Sequence, residues 1–237
     1  MKILALDTAL GACSAAVQID RRVIAFDHQI QQRGHAETLA PMVQRVMREA
    51  GLRIPDLDRI AVTVGPGTFT GLRVGLAAAR GFSVASDVGL VGVTTLDALA
   101  AGAAERLAAD DTWRSIVAVI DARRGEVYRR TFRRVANPPG FEATGAAEVV
   151  ALDQIASQLP EGPGLFVGTG ARSAFDQLGD RQADFSCPDV PDQPDARNVA
   201  MLGCLGEPPV PGQAPAPLYL RKPDAKLPAA RQAATSP

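Results

Sequence analysis

The chain has 237 residues, of which 46% are hydrophobic and 22% are charged, and its formal net charge is -1 at pH 7. This composition excludes a wholly disordered chain, and the length is sufficient for one large domain or two compact lobes. The near-neutral charge excludes a strongly basic nucleic-acid-binding protein, but it does not exclude a local basic patch.

Cysteine use and the first residues indicate the cellular compartment. The three cysteines, Cys13, Cys187 and Cys204, are far apart and lack metal-ligand spacing, which is typical of buried thiols in a reducing environment. The opening run MKILALD is too short and too polar for a signal peptide. No segment approaches the roughly 20 apolar residues that span a bilayer. We therefore expect a cytoplasmic protein without membrane contact.

The N-terminal part of the chain predicts three antiparallel strands followed by a helix. Apolar or alternating runs lie at 2–6, 14–19 and 23–30. Because proline is tolerated only in the first turn of a helix, Pro41 predicts that the regular helix begins near Thr38. The apolar face of this helix contains Leu39, Met42, Val43, Val46, Met47 and Ala50.

A glycine-rich turn then connects a buried strand to a second helix. Strand 59–64 leads into GPGTFTG, which precedes a helix over about 70–85. A strand at 90–93 and a helix over about 96–109 complete the order βββαβαβα. The turn lacks the lysine of a P-loop and the glycine spacing of a dinucleotide fingerprint. Backbone amides at the start of the helix could still hold an anion.

The helix after this turn carries Gly71, Gly75 and Ala79 on one face, because these residues are four apart. A glycine inside a helix costs about 1 kcal/mol relative to alanine, so this bare face indicates close approach by another backbone. That backbone could belong to the protein's own sheet or to a partner. The spacing does not distinguish the two.

The pattern restarts near residue 111 with a strand SIVAVID, a turn ARRGE and a strand VYRRTFRRV. Asp7 precedes Gly11 by the same spacing that separates Asp121 from Gly125. This indicates either an internal duplication or the ordinary use of Asp and Gly in hairpin turns. Weaker signals predict helices at 152–159 and 172–178 and a strand at 165–167.

No catalytic or metal constellation is complete in the sequence. A helical metal pair needs a second ligand three or four residues after His35, and Thr38 and Leu39 occupy those positions. A Ser/His/Asp triad would lack its G-x-S-x-G elbow and a late histidine. Cys13 has no partner that would make it a nucleophile. We therefore predict no catalytic residue and no metal site.

The densest positive cluster lies in and after the second hairpin turn. On a strand its members alternate between the two faces. Such a cluster usually protects an exposed edge from aggregation, and contact with an RNA backbone is the alternative. The cluster contains Arg123, Arg124, Arg129, Arg130, Arg133 and Arg134.

Six segments, in order, make the chain resemble the TsaB (YeaZ) family. They are ILALDTALGACSAAV, RGHAETLAPMV, VGPGTFTGLRVGLAAARGF, GVTTLDALA, IDARRGEVY and PLYLRKP. The resemblance is dense over about the first 130 residues, thins between about 137 and 210, and returns at 217–222. This family is a bacterial component of the machinery that makes N6-threonylcarbamoyladenosine at position 37 of tRNAs reading codons that begin with A.

The resemblance implies an α/β fold of the actin-like, Hsp70-like ATPase (ASKHA) class with two related βββαβα-type lobes. Residues 1–110 would form the N-terminal lobe with the partner-binding helices, 111–222 a partly degenerate C-terminal lobe, and 223–237 a disordered tail.

In nucleotide-binding relatives the two hairpin turns are phosphate loops. The corresponding positions here are Asp7, Gly11, Asp121 and Gly125. The first turn has a single glycine and the second contains bulky arginines. The resemblance therefore implies no tightly bound cofactor, with ATP or ADP expected only at a partner interface.

The resemblance also implies a noncatalytic accessory role. The catalytic paralogue TsaD holds a metal on a helical histidine pair, whereas His35 here is followed by Leu39. The expected function is to form a heterodimer with TsaD and support its transferase activity, with the ATPase TsaE joining the complex and tRNA contacted through it. For the chain alone, a homodimer and a monomer both stay open. The alternatives are a metallopeptidase or a small-molecule kinase of the same superfamily.

In TsaB-like proteins the two N-terminal helices form the association surface. The resemblance therefore assigns the bare face of the second helix, and one face of the first, to contact with TsaD or with a second copy. The expected interface residues are Met42, Val46, Met47, Gly71, Leu72, Gly75, Leu76 and Ala79.

Overall fold

The computed structural model describes residues 1–106, 113–135, 140–207, 209 and 213–221. Within these residues, two β-sheets with packed helices form two lobes on either side of a cleft. Among the described residues, no helix combines the length and the apolar character needed to cross a membrane.

The first lobe is built on a five-stranded sheet. Its strands are β1 (Lys2–Asp7), β2 (Ala12–Ile19), β3 (Arg22–Ile30), β4 (Arg59–Gly65) and β5 (Gly89–Thr94). Their order is β3-β2-β1-β4-β5, with β1 antiparallel to β2 and parallel to β4. Strands β1, β2 and β4 are almost completely buried, as their apolar runs require, whereas the edge strand β3 is partly exposed.

Helices α1 (His35–Glu49) and α2 (Phe69–Ser86) cover one face of this sheet. Alternation along β1 sends Leu4 and Leu6 into the cluster beneath these helices, while Ile3 enters a cluster on the other face. The predicted apolar face of α1 is confirmed, because its five buried residues are Leu39, Met42, Val43, Val46 and Met47.

Helix α1 begins three residues earlier than the predicted start at Thr38. Its first turn is already closed by a hydrogen bond from Thr38 N to Gly34 O at 3.1 Å. Pro41 therefore lies inside the helix, where it cannot donate to the carbonyl of Glu37. Both residues are exposed, so solvent can satisfy that carbonyl and the proline is tolerated.

The second lobe repeats the arrangement of the first. Its strands are β6 (Ser115–Arg123), β7 (Glu126–Arg134), β8 (Phe141–Ala143), β9 (Glu148–Ala151), β10 (Gly164–Val167) and β11 (Phe185–Ser186). Their order is β11-β10-β6-β7-β8, and β9 also pairs with β7. Strands β8, β7, β6, β10 and β11 match β3, β2, β1, β4 and β5 in order and direction. The strand arrangement is therefore repeated in the two lobes, as expected for a fold of two related lobes.

Helix α3 (Thr95–Arg106) connects the two lobes. Its Leu96 and Leu99 share one apolar cluster with Leu10 of the first lobe and with Ile116 and Ile120 of β6. The predicted end of this helix near residue 109, the lobe boundary at 110/111 and the tail 223–237 lie outside the described residues.

The remaining helical segments differ from the sequence predictions. The segment predicted as a helix at 152–159 is a 3₁₀ helix, Leu152–Gln158, and helix α4 (Ala171–Phe175) ends before residue 178. Helix α5 (Ala196–Leu205) was not predicted, because prolines before it obscured its start. It packs on the first sheet, in the same cluster as Ile3 and Ala5. This helix therefore lies with the first lobe, although the sequence placed it in the second.

Candidate functional site

A cleft of about 710 Å³ lies between the two lobes. Its walls come from the β1–β2 turn, the starts of α1 and α2, and the end of β6 with the turn that follows. The lining is partly polar, and its polar side chains include His35, Thr68, Asp121, Arg123, Thr169 and Gln193.

Asp7, the first predicted phosphate-loop position, is buried behind the wall of the cleft. Its Oδ1 accepts hydrogen bonds from Thr63 Oγ1 at 2.7 Å and from Ala9 N at 3.2 Å. Its Oδ2 has no partner within the described residues. Burial, and to a lesser degree the negative charge of Asp195, raises the pKa of the Asp7 carboxyl to about 7. Asp7 is therefore held as a structural group between β1 and β4.

Gly11 does line the cleft, but its backbone amide is already occupied. The amide donates to Oε1 of Gln193 at 2.7 Å. A Cβ atom on Gly11 would lie 2.9 Å from Nε2 of Gln32, so a second glutamine also fills the space at this turn. A phosphate group would have to displace Gln193 to reach this donor. In this conformation the first turn does not fit a nucleotide phosphate.

The second turn has a different geometry from the first. Arg124 and Gly125 form a two-residue loop in which both φ angles are positive, 59° and 74°, as in a type I′ hairpin. Asp121 accepts a hydrogen bond from Arg123 N at 2.7 Å and pairs with the Arg123 guanidinium at 3.2 Å. Asp121 and Arg123 line the cleft, whereas Gly125 is not part of its wall. The carboxylate of Asp121 is thus satisfied within its own turn.

His35 joins the start of α1 to the first turn. Its Nε2 lies 3.0 Å from the carbonyl oxygen of Leu10, and because a carbonyl only accepts, Nε2 carries the hydrogen. Leu39, one turn later, is buried in the core. Within the part of the chain that the structure describes, no three His, Cys, Asp or Glu side chains are grouped to hold a metal. Burial raises the pKa of the Cys13 thiol to about 12, which makes it a poor nucleophile.

Two arginines of the positive cluster are held by ion pairs inside the molecule. Arg129 is buried, pairs with Glu148 and donates to the carbonyl of Gln158 at 3.1 Å. Nη1 of Arg130 donates to both carboxylate oxygens of Asp97 in α3, at 2.7 and 2.9 Å. These contacts favour the structural interpretation for this part of the cluster, because neither guanidinium is free to meet an RNA backbone.

The residues predicted to form the partner interface are buried in their own subunit. None of the six side chains is more than 6% exposed, and the two glycines are buried as well. Most of them belong to the core between the two helices and the first sheet, and Leu72 belongs to the cluster around α3, so all of these side chains point into the subunit. The prediction is corrected for Met42, Val46, Met47, Gly71, Leu72, Gly75, Leu76 and Ala79.

The bare face of α2 packs on the protein's own first turn. A Cβ atom on Gly71 would lie 2.1 Å from the carbonyl oxygen of Thr8, and one on Gly75 would lie 2.6 Å from Thr8 Oγ1. Thr8 Oγ1 in turn donates to the carbonyl of Gly71 at 2.7 Å. The close approach that these glycines permit is therefore intramolecular, which was the first of the two alternatives.

The opposite face of α2 is exposed, and its residues recur at helical spacings of four and three. Phe69 is 57% exposed and Val84 is 88% exposed. A Cβ atom on Gly81 would meet nothing within 4 Å, so packing within the subunit does not require this glycine. The Arg73 guanidinium lies 3.5 Å from the centroid of the Phe69 ring. We define Phe69, Arg73, Ala77, Gly81 and Val84 as the outer face of α2.

A shallow apolar groove of about 530 Å³ lies between the outer face of α2 and α1. Its walls are mainly small side chains, among them Ala36, Ala40 and Ala77. The spacing in the sequence contained a signal for this face, because the period that aligns Gly71 with Gly75 also aligns Phe69 with Ala77. Spacing alone did not indicate which of the two faces points outward.

Comparison with protein families and curated proteins gives consistent matches. Residues 28–169 match the family described as TsaD, tRNA N6-adenosine threonylcarbamoyltransferase. The tRNA threonylcarbamoyladenosine biosynthesis protein TsaB of Escherichia coli strain K12 is 36% identical over 172 residues, which are 72% of each chain. TsaB of Haemophilus influenzae is 31% identical over 201 residues, 80% of this chain and 82% of that protein.

A solved structure has the same fold over nearly the whole chain. YeaZ from Pseudomonas aeruginosa superposes with a TM-score of 0.76 at 27% identity. The match covers 92% of this chain and 99% of that chain, so the likeness includes both lobes.

Proposed function

Because this chain belongs to the TsaB (YeaZ) family, we propose that it takes part in the formation of N6-threonylcarbamoyladenosine on tRNA. Its proposed role is that of a noncatalytic subunit, which binds the TsaD transferase and supports transfer of the threonylcarbamoyl group to adenosine 37. One observation supports the noncatalytic role: polar groups of the cleft are hydrogen-bonded or ion-paired to other groups of this chain. The tRNA substrate implies a cytoplasmic location.

The contacts of the cleft residues support this role. Catalysis requires groups that are free to meet a substrate, a metal or a nucleotide. Here the Gly11 amide is bonded to Gln193, Asp121 is paired with Arg123, and His35 is bonded to a backbone carbonyl. We therefore assign the chemistry to the partner.

We propose the outer face of α2, together with the groove beside α1, as the surface that binds TsaD. Phe69 and Val84 place apolar area at the two ends of this face. Ala77 and Gly81 between them are small enough to let a helix of the partner approach closely. The proposal keeps the expectation that the two N-terminal helices form the association surface. It places the contact residues of α2 on the opposite side of that helix from the residues expected from the sequence.

The other partners are proposed to act through the same assembly. TsaE and tRNA would join the complex that contains TsaD, and the chain alone would form a homodimer through the same face. ATP or ADP is proposed only at the boundary with a partner, because both cleft turns are occupied by side chains of this chain.

Reconstitution with omission tests the proposed function. Purified TsaD, TsaE and the enzyme that supplies the threonylcarbamoyl donor are incubated with tRNA, with and without this chain, and the modified nucleoside is quantified by mass spectrometry. We expect no product from this chain alone and product from the complete set only. An unchanged rate when this chain is omitted would contradict the accessory role, and product from this chain alone would contradict the noncatalytic one.

A further inference from the structure

Residues 213–221 cross from the first lobe to the second near the cleft. Leu218 N donates to the carbonyl of Val64, near the end of β4, at 2.7 Å. Three residues later, Arg221 donates to the carbonyl of Ala122 in β6 at 2.8 Å and pairs with Glu126 of β7. We define residues 213–221 as the strap, because this segment is bonded to both lobes.

The first lobe is shaped to receive the strap. A Cβ atom on Gly92 of β5 would lie 2.6 Å from Cγ1 of Val64 and 2.9 Å from Cβ of Pro215, and one on Gly65 would lie 2.9 Å from the carbonyl oxygen of Leu218. Arg80 of α2 also donates to the carbonyl of Pro215 at 2.9 Å. The missing side chain at Gly65 leaves space for the strap, whereas Gly92 makes room both for the strap and for Val64 of the neighbouring strand.

On the second lobe, Arg221 holds the strap. Its guanidinium bonds to the carbonyl of Ala122 and to the carboxylate of Glu126, which lie on the two sides of the β6–β7 turn. The Arg221 side chain is 24% exposed, so this pair is more shielded than an ordinary surface ion pair. A charged donor with two acceptors is a strong anchor for a single side chain.

The distance between the two anchors is short. An extended chain covers at most about 3.6 Å per residue, so the three residues from Leu218 to Arg221 span about 11 Å at most. Ala122 lines one side of the cleft, and Gly67, which follows β4, lines the other. The strap therefore connects the two walls of the cleft through a few residues of backbone and one side chain.

We propose that the strap fixes the separation of the two lobes and that Arg221 is its releasable end. Leu10 and Ile120 line the cleft and belong to the apolar cluster around α3, so this cluster joins the lobes at the floor of the cleft. The segment between β11 and α5 also crosses between the lobes, and its Gln193 bonds to the first turn. The strap adds a further connection on the side of β6 and β7, and loss of the Arg221 contacts removes that connection, so that the cleft widens. This inference concerns the isolated chain and does not rest on the proposed function.

Distances between two spin labels test the proposal on the full chain. Gln44→Cys on α1 and Ala183→Cys in the second lobe place labels at exposed positions on the two lobes. The partly buried Cys187 and Cys204 are replaced by serine, whereas the buried Cys13 is retained because it does not react. Hydrogen exchange of the Leu218 amide is measured on the same proteins without labels.

Arg221→Ala is compared with the parent chain and with Arg53→Ala, which breaks an exposed pair with Asp56 inside the first lobe. For Arg221→Ala we expect a longer and broader distance distribution. We also expect at least about tenfold faster exchange at Leu218, because a hydrogen bond to a charged group contributes enough to change an opening equilibrium by that factor. Arg53→Ala should change neither quantity.

Unchanged distances and unchanged exchange in a folded Arg221→Ala variant would overturn the proposal. If this variant does not fold, Glu126→Gln replaces it, because it removes the ion pair and leaves the bond to the Ala122 carbonyl. We then expect the same shifts at smaller size, and their absence would equally overturn the proposal.

Discussion

Oε1 of Gln193 accepts a hydrogen bond from the backbone amide of Gly11 at 2.7 Å, so the turn between β1 and β2 is filled by a side chain of the protein itself. The two residues are 182 positions apart in the sequence. The contact follows from the return of the chain to the first lobe just before α5, and it removes a donor that a phosphate would otherwise use.

The isolated chain should therefore not bind ATP measurably. We expect no saturable heat in a calorimetric titration with ATP at millimolar concentration. Gln193→Ala frees one backbone donor, and one hydrogen bond contributes about 1 kcal/mol, so this variant should bind ATP no more than about tenfold above the detection limit of the titration. Tight binding by the parent chain would contradict our description of the cleft and would favour a kinase-like activity.

The stability of the protein should depend on pH through Asp7. Its pKa is raised by burial from 3.8 to about 7, so the folded state binds more protons than the unfolded state between these values. Stability is therefore highest below pH 4 with respect to this group and falls as the pH rises to about 7. The total change is at most about 4 kcal/mol, because one pKa unit corresponds to about 1.4 kcal/mol.

Asp7→Asn isolates this contribution, since the amide oxygen can still accept from Thr63. Urea unfolding is measured for both proteins at pH 5 and pH 8. The parent midpoint should decrease at the higher pH, and the variant should lose that part of the decrease. Equal pH dependence in the two proteins would show that Asp7 does not titrate in this range.

Two glycines of α2 should respond in opposite directions to alanine. Gly75→Ala places a methyl group 2.6 Å from Thr8 Oγ1, and we expect it to destabilise the fold by roughly 1–3 kcal/mol through overpacking. Gly81→Ala meets open space and should stabilise the helix by up to about 1 kcal/mol. Thermal or urea unfolding of the two variants measures both effects. A stabilising Gly75→Ala would refute the packing described for this face.

A long charged side chain at Gly81 should block association. Gly81→Arg has room within the subunit, so we expect a folded protein that no longer forms a complex with TsaD on a sizing column. Ala183→Arg, an exposed position in the second lobe, is the matched control and should leave the complex intact. Complex formation by Gly81→Arg at the parent level would exclude the outer face of α2 as the binding surface.

Much of the fold could be predicted from periodicity. The apolar face of α1 followed from helical spacing, and the strand-turn-strand pattern around Asp121 indicated the second lobe. The family resemblance then supplied the architecture that joined the two lobes. These features are local or repeated, so single segments of sequence contain them.

The binding surface could not be predicted in the same way. Spacing places Gly71 and Gly75 on one face of α2, but the side that meets the sheet is decided by Thr8, which lies far away in the sequence. The same limit applies to Gln193 and to Arg221, whose partners come from other parts of the chain. Long-range contacts of single polar side chains produce no periodic pattern in the sequence.

The bond between Thr8 and Gly71 ties the inner side of α2 to the turn that forms the cleft. At its two glycines the helix directly approaches this turn, the Thr8 carbonyl at Gly71 and the Thr8 hydroxyl at Gly75. Gly71 also lines the cleft, so the position of α2 and the shape of this part of the cleft wall are set by the same contact.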